Sequence, residues 1–438
     1  MNNDFSISIE KLAFGGKGVG RINGKVCFVP FSAPGDELKV RVVAEKHSYL
    51  TARILDILTP SQERITPHCP LFGSCGGCGW QHISYHWQLV AKRQILSETL
   101  WRVARVPGDL VAETIPSPLQ FGYRSRVQFK LYHYCGRLLI GFFRHGSHLV
   151  EDAQQGCPIA KPDINVALHN LRVVLTDFPD PAAIPQINID SAEHGAVGII
   201  NYIGRNPNGA IAFFKKHAEA LQPLTGLYLQ TGRKSTLRKV WGEGLLTYSM
   251  PAGSTGAHSC TLSFSPGGFS QINTLQNVAL LEIVRKLADL KGKESVLDLY
   301  CGNGNFSLPL ADESGEVTGI EGYKDSVAAA VDNCRKNGIN NARFTASDAA
   351  AAVHSLAAVG RRFDVAILDP PRSGAADVVR ELHRLKPERI IYISCDPNTL
   401  ARDCGLLSAN GYHVRSCIPV DMFPQTHHVE SVTLLQQN

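Results

Sequence analysis

From about residue 266 to its end the chain alternates short apolar runs with helical or turn segments, and nothing else in the sequence constrains its fold as strongly. The runs are SVLDLY, EVTGIE, RFTASD, DVAILD and RIIYIS. Such alternation implies an α/β fold, a doubly wound Rossmann-like sheet whose ligand lies at the carboxyl ends of the strands. Residues 5–58 read differently, as about five short strands with tight turns, among them an Asn23-Gly24 hairpin signal in GGKGVGRINGK. That pattern predicts a small β-barrel of the oligonucleotide-binding kind. Its glycine-rich loop lacks the Lys-Ser/Thr ending of a P-loop, so ATP binding is not expected.

The middle divides further. Residues 60–80 carry Pro60, Pro67, Pro70 and a cysteine cluster, and read as a rigid linker. Residues 85–105 read as a helix with Leu89, Leu96, Leu100 and Val103 on one face and Lys92, Arg93, Arg102 and Arg105 around it. Residues 120–250 are strand-rich, with RSRVQFKLYHY, RLLIGFFR, AVGIINYI and GAIAFF as strands. Three domains are expected: a barrel over 1–60, a strand-rich central domain over 61–265, and a doubly wound domain over 266–438. The helix near 85–105 is a candidate to pack on the last of these.

Composition removes several classes. With 44% hydrophobic and 19% charged residues over 438 positions the chain buries large cores, so disorder is not expected. No apolar run approaches a membrane span, and MNNDFSISIE has an acid where a signal peptide has basic residues. A cytoplasmic protein with no membrane partner and no obligate protein partner is expected. Twelve cysteines are too few for a disulfide scaffold, so their clustering points to metal or catalysis. Residues 79–150 hold nine Lys and Arg against three Asp and Glu, a local excess that suits a polyanion such as nucleic acid or is a solvated basic face.

The run Val296–Phe306 is a strand entering a Gly302-Asn303-Gly304 turn, where glycine lets backbone approach a ligand. Glu321 ends the next strand, placed to accept bonds from ribose hydroxyls, and Asp348 ends the third, where an adenine amino group would lie. Asp369-Pro370-Pro371-Arg372 ends the fourth, and its prolines stiffen the turn without offering amide donors. An acid-Pro-Pro turn resembles the one many Rossmann-like methyltransferases place beneath the transferred methyl, which favours S-adenosylmethionine over NAD.

The fifth strand leads into Cys395-Asp396-Pro397. A thiolate there adds to the electron-poor carbon 6 of a pyrimidine, which makes carbon 5 nucleophilic towards a sulfonium methyl. A base must then remove the carbon-5 proton, and Glu430, at the start of VESVTLL, is the candidate. Read alone, Cys395 is a buried structural thiol, as most cysteines are, and Glu430 an exposed strand-edge charge. Cys69, Cys75 and Cys78 place three thiols in ten residues with two glycines between the last pair, and Cys157, between Gly156 and Pro158, offers a fourth. Zinc and a four-iron four-sulfur cluster both accept four thiolates.

Taken together these motifs resemble the RNA uridine carbon-5 methyltransferase family over nearly the whole chain. The barrel resembles a TRAM domain, Phe269-Ser270-Gln271-Ile272-Asn273 resembles the family's Phe-x-Gln-x-Asn motif, and DLYCGNGNF, DPPR, SCDPNTLARD and HHVESV resemble its cofactor, nucleophile and base motifs. The resemblance implies Cys395 as nucleophile and Glu430 as base, and Gln271, Tyr300, Asn305, Glu321, Asp348 and Asp369 around S-adenosylmethionine. It further implies Cys69, Cys75, Cys78 and Cys157 on a four-iron four-sulfur cluster that shapes the RNA-binding domain. Within that family a barrel together with cluster cysteines implies bacterial large-subunit (23S) ribosomal RNA as partner, with transfer RNA as the alternative. From other classes, a methyltransferase of another base, a zinc-stapled RNA-binding module without activity and an NAD oxidoreductase remain to be separated.

Overall fold

The computed structural model describes residues 4–134, 136–253 and 258–437. Six strands form the N-terminal sheet: β1 (Asp4–Ser8), β2 (Lys11–Leu12), β3 (Gly18–Ile22), β4 (Lys25–Val29), β5 (Glu37–Glu45) and β6 (Tyr49–Thr59), in the order β1-β5-β6-β4-β3-β2. Alternating side chains such as Ile7, Ile22, Val29, Leu38 and Val40 fill one small core. The loop between β2 and β3 reaches out of this unit to the far end of the chain.

After the cysteine segment comes α1 (Tyr85–Ala104), capped by the Ser84 hydroxyl. Its buried stripe is Gln88, Ala91, Lys92, Ile95, Leu96, Thr99 and Leu100. Two expectations fail here. Lys92 is fully buried rather than on a basic face, and Val103 is exposed. The stripe follows the i, i+3, i+4 rule, but a lysine is admitted to it because a buried carboxylate waits on the other side. The apolar part of the stripe shares one core with the C-terminal sheet and its helices.

The central sheet has the order β13-β12-β11-β10-β7-β8-β9. Its strands are β7 (Arg126–Tyr134), β8 (Arg137–Phe143), β9 (Val150–Asp152), β10 (Gln186–Ala192), β11 (Gly195–Asn201), β12 (Leu224–Gln230) and β13 (Arg238–Gly242). Two helices belong with it, α2 (Pro162–Thr176) and α3 (Pro207–Lys216). The segment GAIAFF, expected as a strand, lies inside α3. The Asn206 side chain caps that helix by accepting from the Gly209 amide at 2.8 Å, and Pro207 sits at its first position.

The hairpin β14 (Leu246–Ala252) and β15 (His258–Phe264) shares its core with α4 (Thr274–Ala288) and the last sheet. That sheet comprises β16 (Ser295–Leu299), β17 (Glu316–Glu321), β18 (Ala342–Ala346), β19 (Val365–Leu368), β20 (Arg389–Ser394), β21 (Tyr412–Val420) and β22 (Glu430–Gln437). Its order is β18-β17-β16-β19-β20-β22-β21. The first five strands are parallel and β22 runs antiparallel between β20 and β21. Helices α5 (Lys324–Lys336), α6 (Ala349–Ala358), α7 (Ala376–Leu382) and α8 (Pro397–Ser408) complete the Rossmann-like unit, and α1 packs on α8. Among the described residues no helix is long and apolar enough to cross a membrane.

Candidate active site

The turn after β16 runs through left-handed backbone, with φ of 66°, 56° and 92° at Tyr300, Gly302 and Gly304. The Tyr300 and Cys301 amides both donate to the Ile320 carbonyl, at 2.8 and 3.1 Å, which ties the end of β16 to the end of β17. Glu321 is thereby drawn to the turn, and its carboxylate accepts from the amides of Gly302 at 3.1 Å and Tyr323 at 2.7 Å. Asp348 follows β18 and caps α6, accepting from the Ala351 amide at 3.0 Å. Burial, with Asp348 and other acids nearby, pushes the Tyr300 phenol up to about 12. Tyr300, Glu321 and Asp348 thus gather at one carboxyl edge of the sheet. Asn305 does other work: its amide exchanges bonds with Asn277 at 2.8 and 2.9 Å and accepts from the Tyr248 hydroxyl at 3.0 Å. Those bonds fasten the glycine turn to α4 and β14. Neither Tyr248 nor Asn277 stands in a motif read from the sequence.

The second group lies one and two strands away. Asp369 follows β19 and accepts from the Gln271 side-chain amide at 3.3 Å. Burial, with Asp298 behind it, raises its pKa to about 7. Cys395 follows β20. Ser394 pairs with Ser431 across the antiparallel β20–β22 ladder, so the next step of the same register sets Cys395 opposite Glu430. Cys395 is half-buried and Glu430 only 5% exposed. Burial first, and then the Glu430 carboxylate, raises the Cys395 thiol to about 12, against the pull of Arg372. Burial and Asp369 likewise hold the Glu430 acid well above the usual carboxylate range, again opposed by Arg372. The guanidinium of Arg372 stands 3.4 Å from His428 Nδ1. Arg372 is legible as part of the Asp-Pro-Pro-Arg turn, but its place between thiol, acid and histidine is not.

The segment from Asp421 to Val429, which delivers Glu430, is clamped from three directions. From α1, fully buried Lys92 pairs with fully buried Asp421 and donates to the Phe423 carbonyl at 3.0 Å. The Tyr85 hydroxyl donates to the same carboxylate at 2.8 Å, and the Gln88 and Gln425 side chains meet at 3.0 Å. From the cysteine segment, the Gly79 and Trp80 amides both donate to the Gln425 carbonyl at 3.1 Å. From the barrel, Gly16 (φ +86°) lies so close to His427 that a Cβ would come within 3.0 Å of its side chain, and the Gly16 carbonyl accepts from the Trp80 indole at 3.0 Å. A consequence is that Lys92→Met leaves an unpaired buried carboxylate and lowers stability by about 3–5 kcal/mol. Urea unfolding measures that loss, and the Lys92→Met/Asp421→Leu pair recovers most of it.

The cysteines converge as well. Cys69, Cys75, Cys78 and Cys157 line one cavity of about 400 Å³, which Arg124, Gln128, Thr426 and His428 also line. Gly76 anchors the loop to β8 through a 2.9 Å bond to the Phe143 carbonyl. Asn165 holds Cys157 by bonds at 2.8 and 3.0 Å, and at Gly156 (φ +83°) a Cβ would come within 2.6 Å of that asparagine. Among the described residues no group of three or more His, Cys, Asp or Glu is arranged to hold a single metal ion. The other described cysteines without a role in the sequence, Cys27, Cys260, Cys334, Cys404 and Cys417, are buried, while Cys135 lies outside the described residues.

Comparison with known proteins adds independent findings. Residues 254–438 match the tRNA (uracil-5-)-methyltransferase family model, and residues 4–55 match the TRAM domain model. The 23S rRNA (uracil(1939)-C(5))-methyltransferase of Alkalilimnicola ehrlichii is 33% identical, with 99% of this chain and 96% of the relative aligned. Its counterpart in Aromatoleum aromaticum is 34% identical over 98% of this chain and 99% of its own length. The crystal structure of the tRNA (uracil-54, C5)-methyltransferase of Pyrococcus abyssi with S-adenosyl-L-homocysteine superposes with a TM-score of 0.74. It covers 98% of this chain and 100% of its own at 24% identity, a likeness of fold.

Proposed function

The chain belongs to the RNA uracil carbon-5 methyltransferase family, and from that premise we propose that it methylates a uridine of 23S ribosomal RNA in the cytoplasm through a covalent bond to Cys395. The observation that carries this reading is the ladder register that sets Cys395 opposite Glu430 beside Asp369. The chain is an S-adenosylmethionine-dependent enzyme. Bound S-adenosylmethionine supplies the methyl group next to the sheet edge formed by Tyr300, Glu321 and Asp348. The target uridine leaves its stack to reach the site. Gln271 and Asp369 fix its polar edge. Cys395 releases its proton to water and the thiolate bonds to carbon 6, carbon 5 takes up the methyl from the sulfonium, the carboxylate form of Glu430 accepts the carbon-5 proton, and the sulfur–carbon bond breaks to return the thiolate. Arg372 favours the thiolate while the proton is away.

We infer a four-iron four-sulfur cluster at the cysteine cavity, where Cys69, Cys75, Cys78 and Cys157 offer four thiolates, a donor set that zinc takes as well. When bound, the cluster would supply a rigid staple between the Cys69–Cys78 loop and the Cys157 loop. Protein purified without oxygen is expected to be brown and to carry about four iron atoms and four sulfides per chain if one cluster is present; a zinc-containing, colourless protein would overturn this part.

The substrate is tested by mapping 5-methyluridine in RNA from cells lacking the gene. Loss of one modified uridine from 23S ribosomal RNA, restored by the purified protein, is expected. Loss from transfer RNA instead would assign the alternative substrate.

A further inference from the structure

Strand β7 begins at the site and runs away from it. The Ser125 amide donates to the Ile272 carbonyl at 2.8 Å and Arg126 donates to the Gly268 carbonyl at 2.6 Å, so the strand starts on the segment that carries Gln271. Val127, Phe129 and Leu131 turn into the core. The alternate positions Gln128, Lys130, Tyr132 and Tyr134 therefore share the other face. At roughly 3.3 Å per residue, Tyr132 stands about 20 Å along the strand from Arg126.

That face changes character with distance. Near the site it borders the cysteine cavity through Arg126 and Gln128. Further out, Lys130 lies 5.4 Å from the centre of the Phe143 ring. At the tip, Tyr132 and Tyr134 are 49% and 62% exposed, with their rings 15° from parallel and their centres 6.2 Å apart. Exposed, near-parallel aromatic rings offer surfaces on which bases stack. Exposed Arg137 pairs across the hairpin with Tyr134. The cations beside the paired rings suit a phosphate backbone.

We propose that this outward face of the β7–β8 hairpin is a stacking track for the unpaired RNA strand flanking the target uridine, with Tyr132 and Tyr134 holding bases and Lys130 and Arg137 facing phosphates. The inference rests on RNA being the substrate and adds a surface to that reading. Continuity with the site through Gln271 and β7 selects RNA over other occupants, together with the positive charge of the face.

The test uses the full chain and two RNAs, a short one containing little beyond the target loop and a longer one with its flanking unpaired strand. Tyr132→Ala/Tyr134→Ala is expected to weaken binding of the longer RNA about 10-fold or more, because the bases of the flanking strand no longer have aromatic rings to stack on. Binding and methylation of the short RNA should stay within about twofold. Tyr132→Phe/Tyr134→Phe should restore affinity, because the ring and not the hydroxyl is required. Arg137→Ala should reduce the salt dependence of binding by about one unit of slope. Unchanged affinity of the alanine pair for the longer RNA overturns the proposal, as does an equal loss on both RNAs. A wild-type dimer that dissociates in the alanine pair, seen by sedimentation, would give the face to a second copy instead. If the wild-type protein methylates neither RNA, the underlying RNA reading falls first and takes this inference with it.

Discussion

Cys395→Ala is expected to lower turnover by at least about 10⁴-fold, because removing a covalent nucleophile leaves only binding and electrostatics behind. RNA affinity should remain within about threefold, since the thiol adds little to ground-state binding. The resting thiol is a poor nucleophile: burial and the neighbouring acids raise it to about 12. Only a small fraction is thiolate at neutral pH, and Arg372 and a backbone hydrogen bond work against the burial cost. The wild-type rate of adduct formation is therefore expected to climb with pH from 7 to 9. Stopped-flow or quenched mixing with RNA reads that profile. An alanine variant that methylates at near-normal rate would remove the covalent route altogether.

Glu430→Gln should separate the two halves of the reaction. Amide in place of carboxylate cannot take the carbon-5 proton, so turnover is expected to fall by about 10²–10⁴-fold. The methylated adduct should accumulate as a protein–RNA band that survives denaturing electrophoresis. The same variant should also change how stability depends on pH. Burial raises the Glu430 acid above its ordinary range, so between the ordinary carboxylate pKa and the raised folded value the folded chain holds a proton that the unfolded chain has released. Stability from this group is greatest below the ordinary carboxylate pKa and is lost as pH rises towards the raised folded value. Glutamine lacks that loss, so the melting temperature of the variant relative to wild type should be higher at pH 8 than at pH 4. A variant with normal release of product would take Glu430 out of the role, whatever its stability.

The readable and unreadable parts of this chain differ in range. Glycine turn, strand-end acids and the cysteine after β20 are local: a few consecutive residues state both the backbone and the chemistry. GAIAFF misleads because a short apolar run reads the same for strand and helix, and the deciding signals, Asn206 and Pro207, lie outside it. Strand β21 gives no clear signal because its pairing register shifts between Val414 and Ser416, which breaks the alternation of period two. Lys92 is legible as a charge and not as a buried one, since its partner lies 329 positions away. Arg372 belongs to a visible motif, yet only the folded chain brings it to Cys395, Glu430 and His428.

The clamp on the Asp421–Val429 segment has a temporal meaning. Its holders, Gly16, Trp80, Gln88 and Lys92, leave the ribosome more than 300 residues ahead of the segment they grip. Closing loops of more than 300 residues is slow compared with local folding. During translation the barrel and the first helix therefore emerge with an unfilled seat for this segment. Catalytic competence follows when this segment docks into a frame built more than 300 residues earlier.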